Sequence, residues 1–171
     1  MEDLKTRLVE PAHIDRLNSM QAGVRQYQQN LSALANTINQ RSEAIQTLEK
    51  SSRLVESRLS TEKLLFEAEN LVKQMRRQER RFLVENNADA ADRFIKVGSM
   101  ALELVSNSYA APNIKEEVER LFQDYIEAFD VALASTATAQ ELENNIAAAS
   151  HELARLGEGL QTQVARFKIG Q

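Results

Sequence analysis

The sequence predicts an all-α protein, and three observations support this fold class. Glycine and proline, which interrupt helices, number only 5 and 2 among 171 residues. Aromatic residues make up 5 %, with no Trp, which is typical of long helices rather than of sheets. Apolar residues recur at steps of three and four along most of the chain. We therefore expect one domain over residues 1–171, an elongated antiparallel four-helix bundle with two long and two shorter helices.

The first long helix is expected to begin at residue 14, because Pro11 ends a short helical pattern in residues 1–13, although proline can also begin a new helix at its first turn. Apolar positions then alternate steps of three and four, as in a coiled coil: Val24, Tyr27, Leu31, Leu34, Ile38, Ile45, Leu48, Val55 and Leu59. Arg41 occupies one of these core positions. Its charged end is expected either to reach solvent or to find a partner in the bundle.

The end of this helix has two candidate positions. The phase of the apolar stripe changes between residues 48 and 65, in a segment without Gly, Pro, Asn or Asp. The Ser-Ser pair at 51–52 and the Ser-Thr pair at 60–61 are the plausible breaks, because Ser and Thr can cap a new helix. The first helix is thus predicted over 14–50 or 14–59, with one uninterrupted helix as the alternative.

Two shorter helices are predicted next. The first covers residues 61–85, and the Asn-Asn pair at 86–87 is the clearest turn pattern in the chain. Asp89 can cap the following helix, which is predicted over 90–106 and is the shortest of the four.

The last helix is predicted over 113–167, with Pro112 at its entry. Its seam keeps steps of four and three from residue 114 to 160. Small residues line the seam between 128 and 139, where they allow close helix packing or leave room beside the helix. The shorter helices can cover only part of the long pair, so dimerisation or neighbouring segments would have to bury the rest.

Composition and motifs exclude several function classes. The net charge of −4 argues against a nucleic-acid binder. Cys is absent and the two histidines, His13 and His151, lie far apart, so no metal site is expected. Neither a glycine-rich phosphate loop nor a nucleophile elbow is present, which argues against an enzyme and a cofactor. Without an apolar run of about 18 residues, we expect a cytoplasmic protein or the soluble part of a larger one.

The segment with most functional interest covers residues 64–83. Apolar residues of this segment line one helix face, and Glu79 falls on the same stripe. Arg76 and Arg80 border that stripe, where a charge is costly without a partner. The partner could be Glu79 or a ligand carboxylate, which a guanidinium binds through two parallel hydrogen bonds. Arg77 lies on the outer side, where it is expected to face solvent.

This segment also carries a family resemblance. The sequence RRQERRFL at residues 76–83, followed by a polar turn and a short helix, resembles the arginine, glutamate, basic, aromatic pattern of helical bimodular sensor domains. Those are extracytoplasmic ligand-binding domains of bacterial chemoreceptors. Tyr125-x-x-x-Phe129 on the last helix is similar to that family too, so the resemblance covers roughly residues 64–133. This chain is shorter than the full two-bundle domain, and a four-helix chemoreceptor sensor domain is a close neighbour.

The resemblance implies a periplasmic domain of an inner-membrane protein that senses a small organic acid, such as a dicarboxylic acid. It also implies a homodimer, anchored in the membrane through segments outside this chain. The ligand-binding set would comprise Arg76, Arg77, Glu79, Arg80 and Tyr125. A ligand would bias the packing of the stiff last helix and so transmit a small shift to the membrane. The alternative is a structural coiled-coil or helical-bundle interaction protein in the cytoplasm, whose seam binds a partner helix.

Overall fold

The computed structural model describes residues 11–169. They form four α-helices and one short 3-10 helix: α1 Pro11–Leu59, the 3-10 helix Lys63–Leu65, α2 Phe66–Glu85, α3 Ala88–Ser106 and α4 Pro112–Ile169. No strand occurs within these residues, so the predicted all-α bundle of two long and two shorter helices is confirmed. The helical pattern expected near the beginning of the chain falls on residues 1–10, outside the described residues.

The chain divides into two compact units. The first, which we call the four-helix unit, comprises residues 39–137 and contains the end of α1, all of α2 and α3, and the beginning of α4. The second, the two-helix unit, comprises the described residues up to 38 and from 138. That the whole chain is one sensor domain stays a prediction. In the described part of the chain, no helix carries an apolar segment long enough to cross a lipid bilayer.

Side chains from all four helices form the core of the four-helix unit. Its largest buried members are Leu48, Val55, Leu59, Leu65, Val72, Met75, Phe94, Val105, Val118, Phe122, Tyr125 and Phe129. The ring of Phe94 stacks on Phe129 at 3.8 Å between centroids and meets Tyr125 edge-on at 5.1 Å. Phe82 approaches Phe129 edge-on at 5.3 Å. Each such pair stabilises by about 0.5–1.5 kcal/mol beyond its buried area, and together they join α2, α3 and α4.

The first hairpin breaks at the Ser-Thr pair at 60–61, so the candidate break at 51–52 was wrong. Ser52 is fully buried, and its hydroxyl donates to the carbonyl of Glu49 at 2.8 Å within α1. A serine that bonds back to its own helix does not interrupt it. Because the 3-10 helix precedes α2, α2 begins at Phe66 and not near residue 61.

The hydroxyls of Ser60 and Thr61 bond to carbonyls in the last turn of α1 and do not cap α2. Ser60 donates to the carbonyl of Ser57 and Thr61 to that of Arg58, each at 2.8 Å. The guanidinium of Arg58 also bonds Glu117 of α4 at 2.9 Å. This end of α1 is therefore held against the beginning of α4.

The turn between α2 and α3 confirms the Asn-Asn prediction but corrects the cap. Asn86 adopts a left-handed conformation with φ 50°, and its N–H donates to the carbonyl of Phe82 at 2.8 Å, which ends α2. The side chain of Asn87 accepts from the N–H of Ala90 at 3.0 Å and so caps α3. The prediction that Asp89 is the cap was wrong. Asp89 lies in the first turn of α3, where its negative charge interacts favourably with the helix dipole.

In the two-helix unit, α1 packs on α4 through its small and polar residues. A Cβ added at Gly23 would lie 3.1 Å from Leu153 Cδ2, so this face of α1 is close to α4. Asn30 and Thr37, at steps of seven from Gly23, are buried on the same face. The shorter helices are expected to cover only part of the long pair, and in this unit Val24, Leu31 and Ile38 of the α1 seam are exposed, while Tyr27 and Leu34 are half-buried.

Candidate functional site

The candidate site begins with a carboxylate inside the four-helix unit. Glu79 lies on the buried stripe of α2, as the sequence predicts, and is only 6 % exposed. A carboxylate in the core is tolerated only if hydrogen bonds and an opposite charge compensate it. The neighbours of Glu79 therefore determine whether this position is stable.

Both oxygens of Glu79 have a partner. Arg76, which lies one turn before Glu79 on α2, donates from Nη1 to Oε1 at a distance of 2.6 Å. The hydroxyl of Tyr125, on α4, donates to Oε2 at 2.5 Å. Arg76 Nε also lies 3.6 Å from Glu56 Oε1 on α1. We call Glu56, Arg76, Glu79 and Tyr125 the polar network, which connects α1, α2 and α4.

The network keeps the Tyr125 hydroxyl protonated and the Arg76 guanidinium charged. Burial raises the pKa of the Tyr125 hydroxyl, and the negative charge of Glu79 raises it further, so Tyr125 remains a neutral donor. Burial works to lower the pKa of Arg76, but the Glu79 carboxylate outweighs it and the pKa is raised. Arg76 therefore remains a cation, and the arrangement is suited to holding charge in place rather than to transferring a proton.

The structure brings together three of the five residues predicted to bind a ligand. Arg76, Glu79 and Tyr125 are in contact, and the negative partner expected for Arg76 is Glu79 together with Glu56. Arg77 and Arg80 are exposed on α2 and do not belong to the network. The Arg76 side chain is 25 % exposed, so its guanidinium remains within reach of solvent. Ligand binding by these residues stays a prediction.

Sequence reasoning missed Glu56 as a member of the network. Its position next to Val55 on the seam of α1 was the only indication available. Arg41, for which solvent exposure or a partner was expected, is half-buried. Within residues 11–169, its Nε is buried without a hydrogen-bond partner, and the same holds for Oε1 of Gln78.

A separate open groove of about 760 Å³ lies between α1 and α4 in the four-helix unit. Its lining includes small or apolar residues of both helices: Ala44, Leu54, Ala128, Val131 and Ser135. The small residues predicted at the beginning of the 128–139 stretch therefore leave room beside α4. Glu43, Asp124 and Glu127 also line the groove, against one cation, Lys50. This negative surface is unsuited to an organic acid, and it contains none of the predicted ligand-binding residues.

Two further observations complete the description of the site. In the part of the chain that the structure covers, no group of three or more His, Asp or Glu side chains is arranged to hold a metal ion. No protein-family model, curated protein or solved structure matches this chain. The function is therefore inferred from the geometry and from the resemblance of residues 76–83.

Proposed function

We propose that the protein is an extracytoplasmic sensor domain that binds a small carboxylate, such as a dicarboxylic acid, at Arg76 and Arg80. The observation that supports this proposal is the polar network. It connects a partly exposed cation on α2, through a buried carboxylate, to Tyr125 on α4. The resemblance of residues 76–83 to chemoreceptor sensor domains supports the same reading. Anchoring in the inner membrane, through segments outside this chain, belongs to this proposal.

Arg76 can accept a ligand without losing its internal partner. A guanidinium has five N–H donors, and Glu79 and Glu56 do not require all of them. Arg80 lies one turn further along α2 and is exposed. A dicarboxylate whose first carboxylate meets Arg76 would thus find a second cation nearby. Charge-assisted hydrogen bonds of this kind are about twice as strong as neutral ones.

Through the polar network, a ligand bound at Arg76 can change how α4 packs on α2. A ligand carboxylate on the same guanidinium shares its positive charge with Glu79 and Glu56, and so weakens the bond between Arg76 and Glu79 without breaking it. A change in the position of Glu79 alters its hydrogen bond to Tyr125 and with it the packing of α4 on α2. The ligand shifts the equilibrium between two such packings only by the difference in its affinity for them.

Isothermal titration calorimetry of the whole chain against mono-, di- and tricarboxylic acids tests the proposal. We expect binding of at least one dicarboxylate to the wild type, and at least about tenfold weaker binding to Arg80→Ala, since a charge-assisted bond contributes about 1.5–3 kcal/mol. Arg93→Ala, which removes an exposed arginine of α3, is the matched control and should bind like the wild type.

Arg80→Ala is preferred to Arg76→Ala because loss of Arg76 leaves Glu79 buried without its cation and destabilises the fold. Arg76→Lys is a useful second variant, since it keeps the charge but not the planar fork that binds a carboxylate. If no acid gives heat with the wild type, or if Arg80→Ala binds as tightly, the sensing proposal is wrong.

The second candidate function is that of a helical-bundle interaction protein. Its support is the row of exposed apolar residues on α1 in the two-helix unit. Under this reading, Arg77 and Arg80 are ordinary surface charges and the polar network only joins helices. Sequence flanking this chain distinguishes the two candidates, because membrane spans on both sides favour the sensor.

A further inference from the structure

The open groove between α1 and α4 in the four-helix unit, which we call the α1–α4 groove, has a floor of small residues. They stand seven positions apart on each helix: Ala44 and Ser51 on α1, and Ala128 and Ser135 on α4. The two alanines are buried and the two serines half-buried. Residues seven apart lie nearly above one another, so the floor follows both helices. From residue 40 to residue 54 the groove extends over about 21 Å, at 1.5 Å per residue.

Apolar side chains stand beside this floor on both helices. Leu54 of α1 is 48 % exposed and Val131 of α4 is 51 % exposed, and both line the groove. A small-molecule site usually encloses most of its ligand, which an open groove of this length does not do. An amphipathic helix instead lays its apolar face into such a groove, and small residues allow its axis to come close. The shape therefore favours a helix as the occupant.

The charge around the groove indicates which kind of helix fits. Glu43, Asp124 and Glu127 line the groove and are exposed, against one cation, Lys50. Within residues 11–169, none of these three carboxylates belongs to an ion pair, whereas other glutamates of α1 and α4 with exposed side chains do. The groove therefore presents negative charge that the described chain leaves uncompensated.

The sequence of α4 extends this negative surface. Between Arg120 and Arg155, the helix contains six acidic residues and neither Lys nor Arg. A helix whose apolar face enters the groove places its flanking residues beside the groove carboxylates. Lys and Arg at those positions meet opposite charges, which speed association and select the partner, whereas Asp and Glu meet like charges. Charge complementarity therefore favours a basic helix.

We propose that the α1–α4 groove binds a basic amphipathic helix of another protein, over about four helical turns. The apolar residues of that helix contact Leu54, Val131 and the small residues of the floor. Its Lys or Arg side chains pair with Glu43, Asp124 and Glu127. The groove contains none of the residues proposed to bind a carboxylate, so this inference goes beyond that function and does not depend on it.

Fluorescence anisotropy of a labelled peptide, titrated with the whole chain, tests the proposal. The peptide has about 21 residues, or three heptads, with Leu at positions a and d and Lys at e and g. We expect saturable binding to the wild type at low ionic strength, and weaker binding as salt is added. Two control peptides should not bind: one with Glu in place of Lys, and one with the same composition in scrambled order.

Matched double variants of α4 test the role of the groove carboxylates. Asp124→Asn with Glu127→Gln removes two charges that line the groove. Asp130→Asn with Glu141→Gln removes two exposed charges of the same helix that do not line it. We expect about fivefold weaker peptide binding for the first pair, because each exposed ion pair contributes modestly. The second pair should bind like the wild type.

Val131→Lys tests the apolar wall of the groove. We expect at least about tenfold weaker binding, because the new cation meets the lysines of the peptide and an apolar contact is lost. Val84→Lys is the matched control, since Val84 lies on α2 and is 78 % exposed. Arg80→Ala should bind the peptide like the wild type, which separates this groove from the proposed carboxylate site. Circular dichroism should show the same helix content in all variants.

Three outcomes would overturn the proposal. The first is that the wild type does not bind the basic peptide, or that the Asp124→Asn, Glu127→Gln and Val131→Lys chains bind it equally well. The second is that spermidine binds with the same dependence on Asp124 and Glu127 while the peptide does not, so that the groove accepts a small organic cation. The third is that the chain alone associates and Val131→Lys prevents this, which would make the occupant a second copy.

Discussion

Glu79 shows how this fold accommodates a charge among apolar side chains. The carboxylate is compensated by a cation from its own helix and by a hydroxyl from α4, so neither oxygen is left without a partner. Such an arrangement is not strongly stabilising compared with apolar residues of the same shape. Removing Arg76 or the Tyr125 hydroxyl is costly, however, because Glu79 then stays buried with one partner fewer. The network therefore specifies how α2 and α4 pack.

Tyr125→Phe is expected to lower the free energy of unfolding by about 1–3 kcal/mol. The ring remains and keeps its contact with Phe94, but Glu79 Oε2 loses its donor in a buried position. Urea denaturation followed by circular dichroism measures the difference. Tyr109→Phe is the matched control, since Tyr109 is 96 % exposed and its variant should unfold like the wild type. Equal stability of the two variants would mean that the hydrogen bond contributes nothing.

The polar network also predicts a dependence of stability on alkaline pH. The pKa of Tyr125 is raised in the folded protein by burial and by Glu79, while the unfolded value is about 10. The folded state then retains a proton that the unfolded state releases, so this contribution is fully present below pH 10 and is lost as the pH rises above it. Urea midpoints of the wild type should fall between pH 10 and 11 more steeply than those of Tyr125→Phe. Parallel profiles would contradict the raised pKa.

The sequence was informative about these residues only along one helix. Periodicity placed Glu79 on the buried face of α2 and Arg76 at its edge, because both follow from the 3.6-residue repeat. It could not place Tyr125 against Glu79, since the two are 46 residues apart and the contact depends on how α4 packs. For the same reason, the sequence could not show that Glu56, on α1, lies close to Arg76.

Helix ends were harder to predict than helix faces. The two serine-containing breaks in the first hairpin have the same local chemistry, and only packing distinguishes them: Ser52 is buried within α1, whereas Ser60 is exposed. The cap of α3 presents a similar case. The side chains of Asn87 and Asp89 can both cap a helix. In the structure the chain turns at Asn86, which is left-handed, and Asn87 is the residue that caps α3.

Asn87→Ala is expected to lower the free energy of unfolding by about 1 kcal/mol, because the N–H of Ala90 loses its capping acceptor. Asp89→Ala should cost less, since Asp89 contributes only its charge in the first turn of α3. Thermal and urea unfolding of the two variants, in the same buffer, measure the difference. The larger effect in Asp89→Ala would assign the cap to that residue instead. Raising the ionic strength should reduce the Asp89→Ala effect and leave the Asn87→Ala effect unchanged.

At the scale of the whole molecule, the two units differ in how their helices are buried. The four-helix unit contains the aromatic cluster and most of the fully buried side chains. In the two-helix unit, the described buried residues are few and partly polar, and apolar residues of α1 are exposed. The periodicity of α1 is equally regular in both units, so the sequence predicted the helix throughout. The lengths of the shorter helices also indicated that only part of the long pair is covered, but the sequence could not show which residues of α1 stay exposed, because that depends on how the helices pack.

This difference predicts how the backbone amides exchange with solvent deuterium. Local opening is easiest where few apolar contacts are broken, so in dilute protein the amides of residues 14–38 should exchange faster than those of 39–59, although both belong to α1. Hydrogen exchange with mass spectrometry of overlapping peptides measures this along the helix. Uniform exchange along α1 would contradict the unequal burial of residues 14–38 and 39–59.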